Sequence, residues 1–463
     1  MSLRSDQREV AERLLQLLQS NAAVGLMAPT GWGKSYTLAY VAKSIGGRWL
    51  WGTSLVSAEY SAAAALRSFN VKYILTAGRE KLCLLGLSNI DFRLKNACMQ
   101  CRYNYVVKDQ GIMGRLGDYI DFGMIKEVAM TADSCPYLLQ EEATRRMLRN
   151  ERNIVALMHY RRIPKYIRWA DFIVIDEAHS LTLPRIVRLP RRLIEILLDE
   201  LGIRGIDCKN TEAVRVVLSE NLLNILNIAE GGDLDINIDL DAVVDFIDSA
   251  ITYYDASSDE LVGLQMSDLG AINNKRIIYV SATLPPTILS SIPSVRVPPS
   301  TIIKVKIPKD AVDVTLENLQ YRHRERIAKL LRRYLDNEPT VIFTTSSKDV
   351  VSLIEDVTYE DEIGVNVCER PPPILVLNFY GKFSEGYRLT CYRRAILLTV
   401  PLLPIDVLRR LRINETDLIV TKTVQVIGRL LPQPEEPDII MLDRRFWKYC
   451  NTLMNYGIQC VED

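Results

Sequence analysis

Apolar residues at Val10, Leu14, Leu17 and Leu18 recur at helical spacing, so Asp6 to Leu18 predicts a helix with one buried face. Val24 to Ala28 then reads as a short buried strand, Tyr36 to Ser44 as a helix and Arg48 to Thr53 as a strand. From about Thr76 to Asn153 this α/β rhythm breaks, which predicts an insertion. It resumes over Ile154 to Glu177, where Phe172 to Ile175 has the continuous apolar run of a strand buried on both faces. Leu183 to about Ala271 predicts a second, helical insertion. Its apolar faces are Leu193, Ile194, Leu197 and Leu198, then Val214, Val217, Leu222, Leu223 and Ile225, then Val243, Val244 and Ile247. Beyond Leu284, strand runs at Val341 to Thr344, Ile374 to Asn378, Ala395 to Val400 and Ile439 to Leu442 alternate with helical segments at Arg324 to Tyr334 and Val350 to Glu355. The pattern predicts an α/β chain with two parallel-sheet domains. Repeats and low-complexity segments are absent from the sequence, and Pro371 to Pro373 reads as a rigid turn before a strand.

At 463 residues the chain is long enough for several cores, and its 57 basic and 57 acidic residues cancel. Binding to a polyanion would therefore have to rest on local patches. Arg145, Arg146, Arg149, Arg152, Arg161, Arg162, Lys165 and Arg168 form one such stretch, whereas Asp233 to Glu260 carries acidic residues with no Lys or Arg. Met1 to Arg13 is polar, and the longest apolar run, Ala395 to Leu403, is too short to span a bilayer, so a cytoplasmic protein with no membrane partner is expected. In a reducing compartment the nine cysteines read as metal ligands or buried thiols before they read as disulfides.

Candidate chemistry enters with three strings in order: Ala28 to Ser35 (APTGWGKS), Ile175 to His179 (IDEAH) and Val280 to Leu284 (VSATL). Gly31 and Gly33 let the backbone turn its N–H groups around phosphate oxygens, and Lys34 supplies a point charge. Thr30, Gly31, Gly33, Lys34 and Ser35 are accordingly the expected nucleotide-binding positions. Ser35 can ligate Mg2+, with Asp176 on the opposite side of the metal. Glu177 falls where a water could be activated, the division of labour that phosphoryl transfer to water requires. His179 would relay nucleotide state to Ser281 and Thr283 by hydrogen bonding. Trp32 is an unusual residue in such a loop, placed either over the nucleotide or at the mouth of the cleft.

Cys83, Cys98, Cys101 and Cys135 form a Cys-x14-Cys-x2-Cys-x33-Cys set inside the first insertion. Four thiolates suit zinc or an iron-sulfur cluster, and ligand count does not choose between them. Tyr103, Tyr105 and Tyr137 surround them and can stack on bases or pack around a metal site. Cys208, Cys368, Cys391, Cys450 and Cys460 lack such spacing and read as ordinary core or surface thiols. His159 reads as a core or hinge residue.

GREKLC at Gly78 to Cys83, ACMQC at Ala97 to Cys101 and SCPY at Ser134 to Tyr137, lying between the phosphate loop and the DEAH box, resemble the XPD family of superfamily 2 iron-sulfur DNA helicases. The bacterial DinG proteins are relatives. The resemblance continues through Leu3 to Gln7 (the Q motif), Val341 to Ser347 (motif IV), Gly381 to Gly386 (motif V), Gln425 to Arg429 (motif VI) and Leu442 to Phe446. It implies two RecA-like motor domains. The first is built from residues 1–77, 153–182 and 272–286, with an iron-sulfur domain over 78–152 and a short helical Arch-like domain over 183–271. The second spans 287–463. ATP and Mg2+ would sit between the motors, with Gln7 reading the adenine and Gln425 and Arg429 approaching from the second. Cys83, Cys98, Cys101 and Cys135 would hold a 4Fe-4S cluster. The implied activity is ATP-dependent unwinding by a monomer tracking 5′ to 3′ on single-stranded DNA and acting at duplex junctions, in repair or fork processing.

Two departures stand out. Motif VI of the family has a second arginine three residues after the first, where this chain has Pro432, and the motif V aspartate is absent because Tyr387, Arg388 and Leu389 follow Gly386. An arginine at a phosphoryl-transfer site is worth about 10³ or more in rate. The alternative is therefore a DNA clamp or scaffold that binds ATP with weak turnover and no unwinding. An RNA-directed motor fits less well, since the cysteine set resembles DNA-acting relatives.

Overall fold

The computed structural model describes residues 3–29, 31–54, 56–87, 98–99, 101–105, 114–231, 239–256, 258–266, 275–299, 301–315, 317–335, 338–345, 353–354, 356–360, 367–381, 389–431 and 436–463. Helix α1 (Ser5–Ser20) buries Ala11, Leu14 and Leu18 and leads into strand β1 (Ala23–Met27). Helix α2 (Lys34–Ile45) follows, then β2 (Gly47–Thr53) and β3 (Lys72–Leu75). Next come β4 (Tyr119–Ile120), β5 (Asn153–His159) and β6 (Phe172–Asp176). After an excursion through β7 (Arg185–Pro190), β8 (Ile251–Asp255) and β9 (Glu260–Gln265), the chain returns in β10 (Arg276–Ser281) and β11 (Ser294–Arg296). The first sheet has the order β11-β1-β10-β6-β2-β5-β3-β4, and every pairing in it is parallel.

Strands β12 (Ile303–Ile307), β13 (Thr340–Thr344), β14 (Thr358–Tyr359), β15 (Ile374–Asn378), β16 (Arg394–Leu397), β17 (Asp438–Met441) and β18 (Ile458–Glu462) build the second sheet. Its order is β14-β15-β13-β16-β17-β12-β18, again parallel throughout. Successive side chains point to opposite faces of a strand. Val341 and Phe343 accordingly join one core with Leu375, Leu377, Ala395 and Leu397, while Ile342 joins the other with Val376 and Ile396. With both faces covered, these strands read as continuous apolar runs. The fold is thus α/β with two parallel-sheet domains.

Three features depart from the pattern read in sequence. The first sheet runs on past residue 286, because β11 pairs with β1. The first insertion is not separate from that sheet, since β4 adds to its edge beside β3. The second insertion is not all-helical: β7, β9 and β8 form a three-stranded antiparallel sheet. Four helices, Arg191–Glu200, Thr211–Glu220, Leu222–Gly231 and Leu240–Ile247, accompany it. Strands of five or six residues carry too few periods to stand out beside helices of stronger amphipathic spacing. Val262 and Leu264 of this sheet are fully buried against Val407 of helix Ile405–Leu411 in the second domain. Of the expected segments, Val350 to Glu355 falls mostly outside the described residues. No helix among the described residues is long and apolar enough to cross a membrane.

The cysteines need a correction. Cys368 and Cys391 form a disulfide with Cα atoms 5.4 Å apart, and Cys450 and Cys460 form another at 5.7 Å. Spacing of 23 and 10 residues gave no hint of this, because pairing depends on where the fold brings two Cβ vectors together. Cys208 remains a buried thiol, and Cys83, Cys98, Cys101 and Cys135 are free and half-buried. Loop closure of this size predicts about 3 kcal/mol of stability per bridge. Dithiothreitol should therefore lower the denaturant midpoint, and alkylation before reduction should leave Cys368, Cys391, Cys450 and Cys460 unlabelled. Full labelling of all nine thiols would refute both bridges.

Candidate functional site

Strand β10 lies between β1 and β6 in register, with Met27 opposite Ser281 and Asp176 opposite Val280. The segments leaving the C-terminal ends of these strands therefore open at one edge of the sheet, where open α/β sheets hold their ligands. From β1 leaves the glycine loop, from β6 the Asp176–Glu177 pair, and from β10 the Ser281 to Thr283 turn.

The loop turns through Gly31 (φ 81°) and Gly33 (φ 103°) before α2 begins at Lys34. The left-handed backbone at Gly33 favours glycine, and a Cβ there would lie 2.3 Å from Gln7 Nε2 and displace that side chain. Lys34 Nζ donates to the Ala28 and Pro29 carbonyls at 3.1 and 3.3 Å, folded back over the loop. Ser35 is half-buried in the first turn of α2, and Thr30 lies outside the described residues. Gln7 is buried in the first turn of α1, where its Oε1 accepts from the Arg4 amide at 3.2 Å and its Nε2 donates to the Trp32 carbonyl at 2.9 Å. It braces the loop in this conformation.

Asp176 ends a fully buried strand, and Glu177 follows in the left-handed region at φ 53°. For a non-glycine residue that conformation costs on the order of 1 kcal/mol. The Glu177 amide donates to Asp176 Oδ1 at 3.1 Å, while the Glu177 carboxylate accepts from Ser281 Oγ at 3.3 Å. Two carboxylates adjacent in sequence thereby serve different partners. Burial raises Asp176 above the ordinary carboxylate range, and the Glu177 charge adds to it against the opposing pull of Lys34. Burial also acts upward on Glu177, but the hydrogen bond and charge of His179, with Lys34 and Ser281, outweigh it and hold that group below the ordinary range. Asp176 is short of positive charge, an environment that a divalent cation relieves.

His179 is the hub. Its Nδ1 meets Ser281 Oγ at 2.9 Å and Glu177 Oε2 at 3.3 Å, and its Nε2 meets Gln425 Nε2 of the second domain at 2.5 Å. Ser281 Oγ also accepts from the Thr283 amide at 3.0 Å. Gln425 lies on helix Glu415–Arg429, and Arg429 follows one turn later on the same face. Pro432, Arg388 and Tyr387 lie outside the described residues. Sequence reading missed a second clamp: Asp417, buried near the start of that helix, accepts from the Thr287 amide at 3.0 Å and from the Thr287 hydroxyl. The only signal was an acidic residue beside an apolar helical run.

Cys83, Cys98, Cys101 and Cys135 line one cleft with Arg79, Tyr103 and Tyr137. Cys83 ends the short helix Arg79–Leu82, Cys98 and Cys101 share a tight turn, and Cys135 caps helix Pro136–Asn150. Burial raises the Cys135 thiol, opposed by the Leu138 and Tyr137 amides, and the nearby Cys98 and Cys101 raise it further. Among the described residues, no three Cys, His, Asp or Glu side chains stand close enough to hold one metal ion. The donor set nevertheless fits a sulfur-ligated group: four reduced thiols face one cleft, with Arg79 Nη1 at 3.8 Å from Cys98 Sγ to offset negative charge.

The arginine stretch divides in two. Arg79, Arg162 and Lys165 surround the Tyr137 ring at 4.9, 5.8 and 5.5 Å beside the cysteine cleft. Arg149 and Arg168 instead flank Trp169 at 5.1 and 4.0 Å, before β6 begins and so at the other end of the sheet. His159 is pushed down to about 4 by burial and by Arg161, Arg185 and Arg162, which keeps it neutral at the end of β5.

No family model matches the chain, and no curated protein matches it. Among solved structures, it is similar over 100% of both chains to one described as XPD helicase, with a TM-score of 0.67 at 17% identity. A structure described as XPD apo gives 0.58 at 15% identity, covering 98% of this chain and 100% of the other. S. tokodaii Xpd4 gives 0.52 at 15%, covering 99% and 100%. At these identities the likeness is one of fold, and it extends over both parallel-sheet domains and the segments inserted in the first.

Proposed function

We propose that this protein is an ATP-dependent DNA helicase that tracks on single-stranded DNA in the 5′ to 3′ direction and acts in repair or fork processing. The observation that carries the reading is the polar chain from Glu177 through Ser281 and His179 to Gln425, which joins the carboxylate pair beside the glycine loop to the second sheet. Similarity of fold to XPD helicase structures supports it.

In this reading the Thr30 to Ser35 loop wraps the phosphates and Lys34 leaves the Ala28 and Pro29 carbonyls for the nucleotide. Ser35 and Asp176 would hold Mg2+, which supplies charge neutralisation at the phosphates. Glu177 is held ionised by His179 and Ser281, the state needed to orient and deprotonate an attacking water. Arg429 would approach the γ-phosphate from the second domain, and Gln7 would read the adenine. His179 connects hydrolysis to domain closure, because its two ring nitrogens contact different domains. Cys83, Cys98, Cys101 and Cys135 would hold a 4Fe-4S cluster that stiffens the inserted domain. Arg79 and the half-exposed Lys165, with Tyr137 beside them, would offer charge and a stacking face to single-stranded DNA.

Turnover of MgATP by anaerobically purified protein should rise on adding single-stranded DNA, with Lys34→Ala as the blank. Turnover no greater than the blank with DNA binding intact would favour the ATP-binding clamp. Glu177→Gln should retain ATP binding and lose hydrolysis by about 10² or more, as loss of a general base does; unchanged turnover would remove Glu177 from the mechanism. Cys98→Ser should abolish the brown colour and unwinding while sparing much of the ATPase, and a colourless wild type with stoichiometric zinc would reject the cluster. In a double-mutant cycle on denaturant midpoints, His179→Ala and Gln425→Ala should be non-additive by about 1 kcal/mol. Strict additivity would show that the interdomain bond does not form.

A further inference from the structure

A phosphate cradle uses only the backbone of the residue between its glycines, yet this chain places a tryptophan there and fastens it at two points. The Trp32 carbonyl accepts from Arg4 Nη2 at 2.7 Å and from Gln7 Nε2 at 2.9 Å, and the Trp32 indole Nε1 donates to Asp6 Oδ2 at 2.8 Å. Arg4 and Asp6 also pair with each other at 3.3 Å. Three side chains from the start of α1 thus converge on one loop residue, gripping its main chain and its side chain together.

We propose that Arg4, Asp6 and Trp32 form a latch that presets the phosphate loop for nucleotide, which makes Trp32 a positioning residue for binding and not for hydrolysis. The proposal rests on the nucleotide-site reading above. A trans peptide is planar, so the carbonyl of Trp32 and the amide of Gly33 point in opposite directions. Fastening that carbonyl to α1 therefore turns the Gly33 N–H away from α1. Without the latch, a segment flanked by two left-handed glycines has many conformations to lose when phosphate binds. Holding one of them in advance removes that entropy cost and raises affinity. The indole contributes a directional N–H donor on a rigid ring partly packed against the first core, which phenylalanine or leucine could not supply.

The latch is local. Arg4 and Asp6 side chains are 58% and 52% exposed, and exposed ion pairs contribute little to folding. The groups proposed for hydrolysis, Glu177, His179 and Gln425, make no bond to it in the described contacts. Its loss should therefore appear in nucleotide affinity and spare both thermal stability and the chemical step.

The test compares Asp6→Ala, Trp32→Phe and Asp6→Asn in the full chain by equilibrium binding of MgADP and by MgATP hydrolysis. Asp6→Ala and Trp32→Phe should raise the MgADP Kd and the KM for MgATP roughly three- to tenfold, the effect of one lost hydrogen bond. The kcat should stay within about twofold. Asp6→Asn keeps a carbonyl oxygen for the indole and should recover most of the affinity. Unchanged Kd and KM in both disrupting variants, or a loss confined to kcat, would overturn the latch while leaving the nucleotide site standing. If wild type binds MgADP no better than Lys34→Ala, the nucleotide reading fails and the latch fails with it.

Discussion

The parallel register of β1, β10 and β6 is the constraint on which the rest of the site depends. Met27 opposite Ser281 and Val280 opposite Asp176 place three strand ends at one level, so the glycine loop, the carboxylate pair and the Ser281 turn share a single edge. A slip of one residue in either pairing would exchange the faces of every side chain on the strand and bury or expose the wrong set. The continuous apolar burial of β6 makes such a slip costly, since all five of its residues are buried. Hydrophobic packing therefore sets the position of polar groups that it does not touch.

Closure against the second domain depends on directional bonds attached to that same edge. Helix Glu415–Arg429 carries Asp417 to Thr287 and Gln425 to His179, two contacts eight residues apart and hence about 12 Å apart along its axis. Tyr456 adds a hydrogen bond to the Leu284 carbonyl at 2.6 Å. Leu284 and Thr287 both lie just beyond β10, so the central strand of the site also supplies the anchor points of the opposite domain. Because hydrogen bonds weaken steeply with misalignment, a small rotation of this helix would release His179 before it disturbed either apolar core. The Gln425–His179 and Asp417–Thr287 bonds are therefore more sensitive to the angle between the sheets than the apolar cores are.

Sequence was most legible where local chemistry and periodicity agreed. The α1 stripe, the β1 and β6 strands and the glycine loop each follow from residues close together in the chain, and the structure places all of them on one domain. It was least legible where partners are chosen by the fold and not by local pattern. Nothing in ILVLN or RAIL says which strand lies beside which, and nothing around Cys368 or Cys450 announces a disulfide partner. The small antiparallel sheet was hidden for a related reason, since β8 is only partly buried after its first residue and offers no clean alternation. Trp32 shows the same limit at a single position: its oddity was visible, but its partners Arg4 and Asp6 are fixed only by the placement of α1 against the loop.

The second insertion has a mixed allegiance with a mechanical consequence. It leaves the first domain after Leu181, beyond the C-terminal end of the interior strand β6, yet Val262 and Leu264 bury themselves against Val407 of the second domain, and Ile186 and Tyr253 pack against the same cluster. Ile186 also packs against the second-domain core that holds Tyr380, whose hydroxyl donates to the Pro401 carbonyl at 2.9 Å. Any change in the angle between the sheets must either expose these apolar side chains or carry the insertion along. Exposure costs about 25 cal/mol per Å² of apolar surface, a penalty that grows with every side chain uncovered. Bending of the connecting chain carries no such penalty, so the insertion should travel with the second domain. Its position relative to the cysteine cleft of the first is then set by the same angle that His179 and Gln425 report.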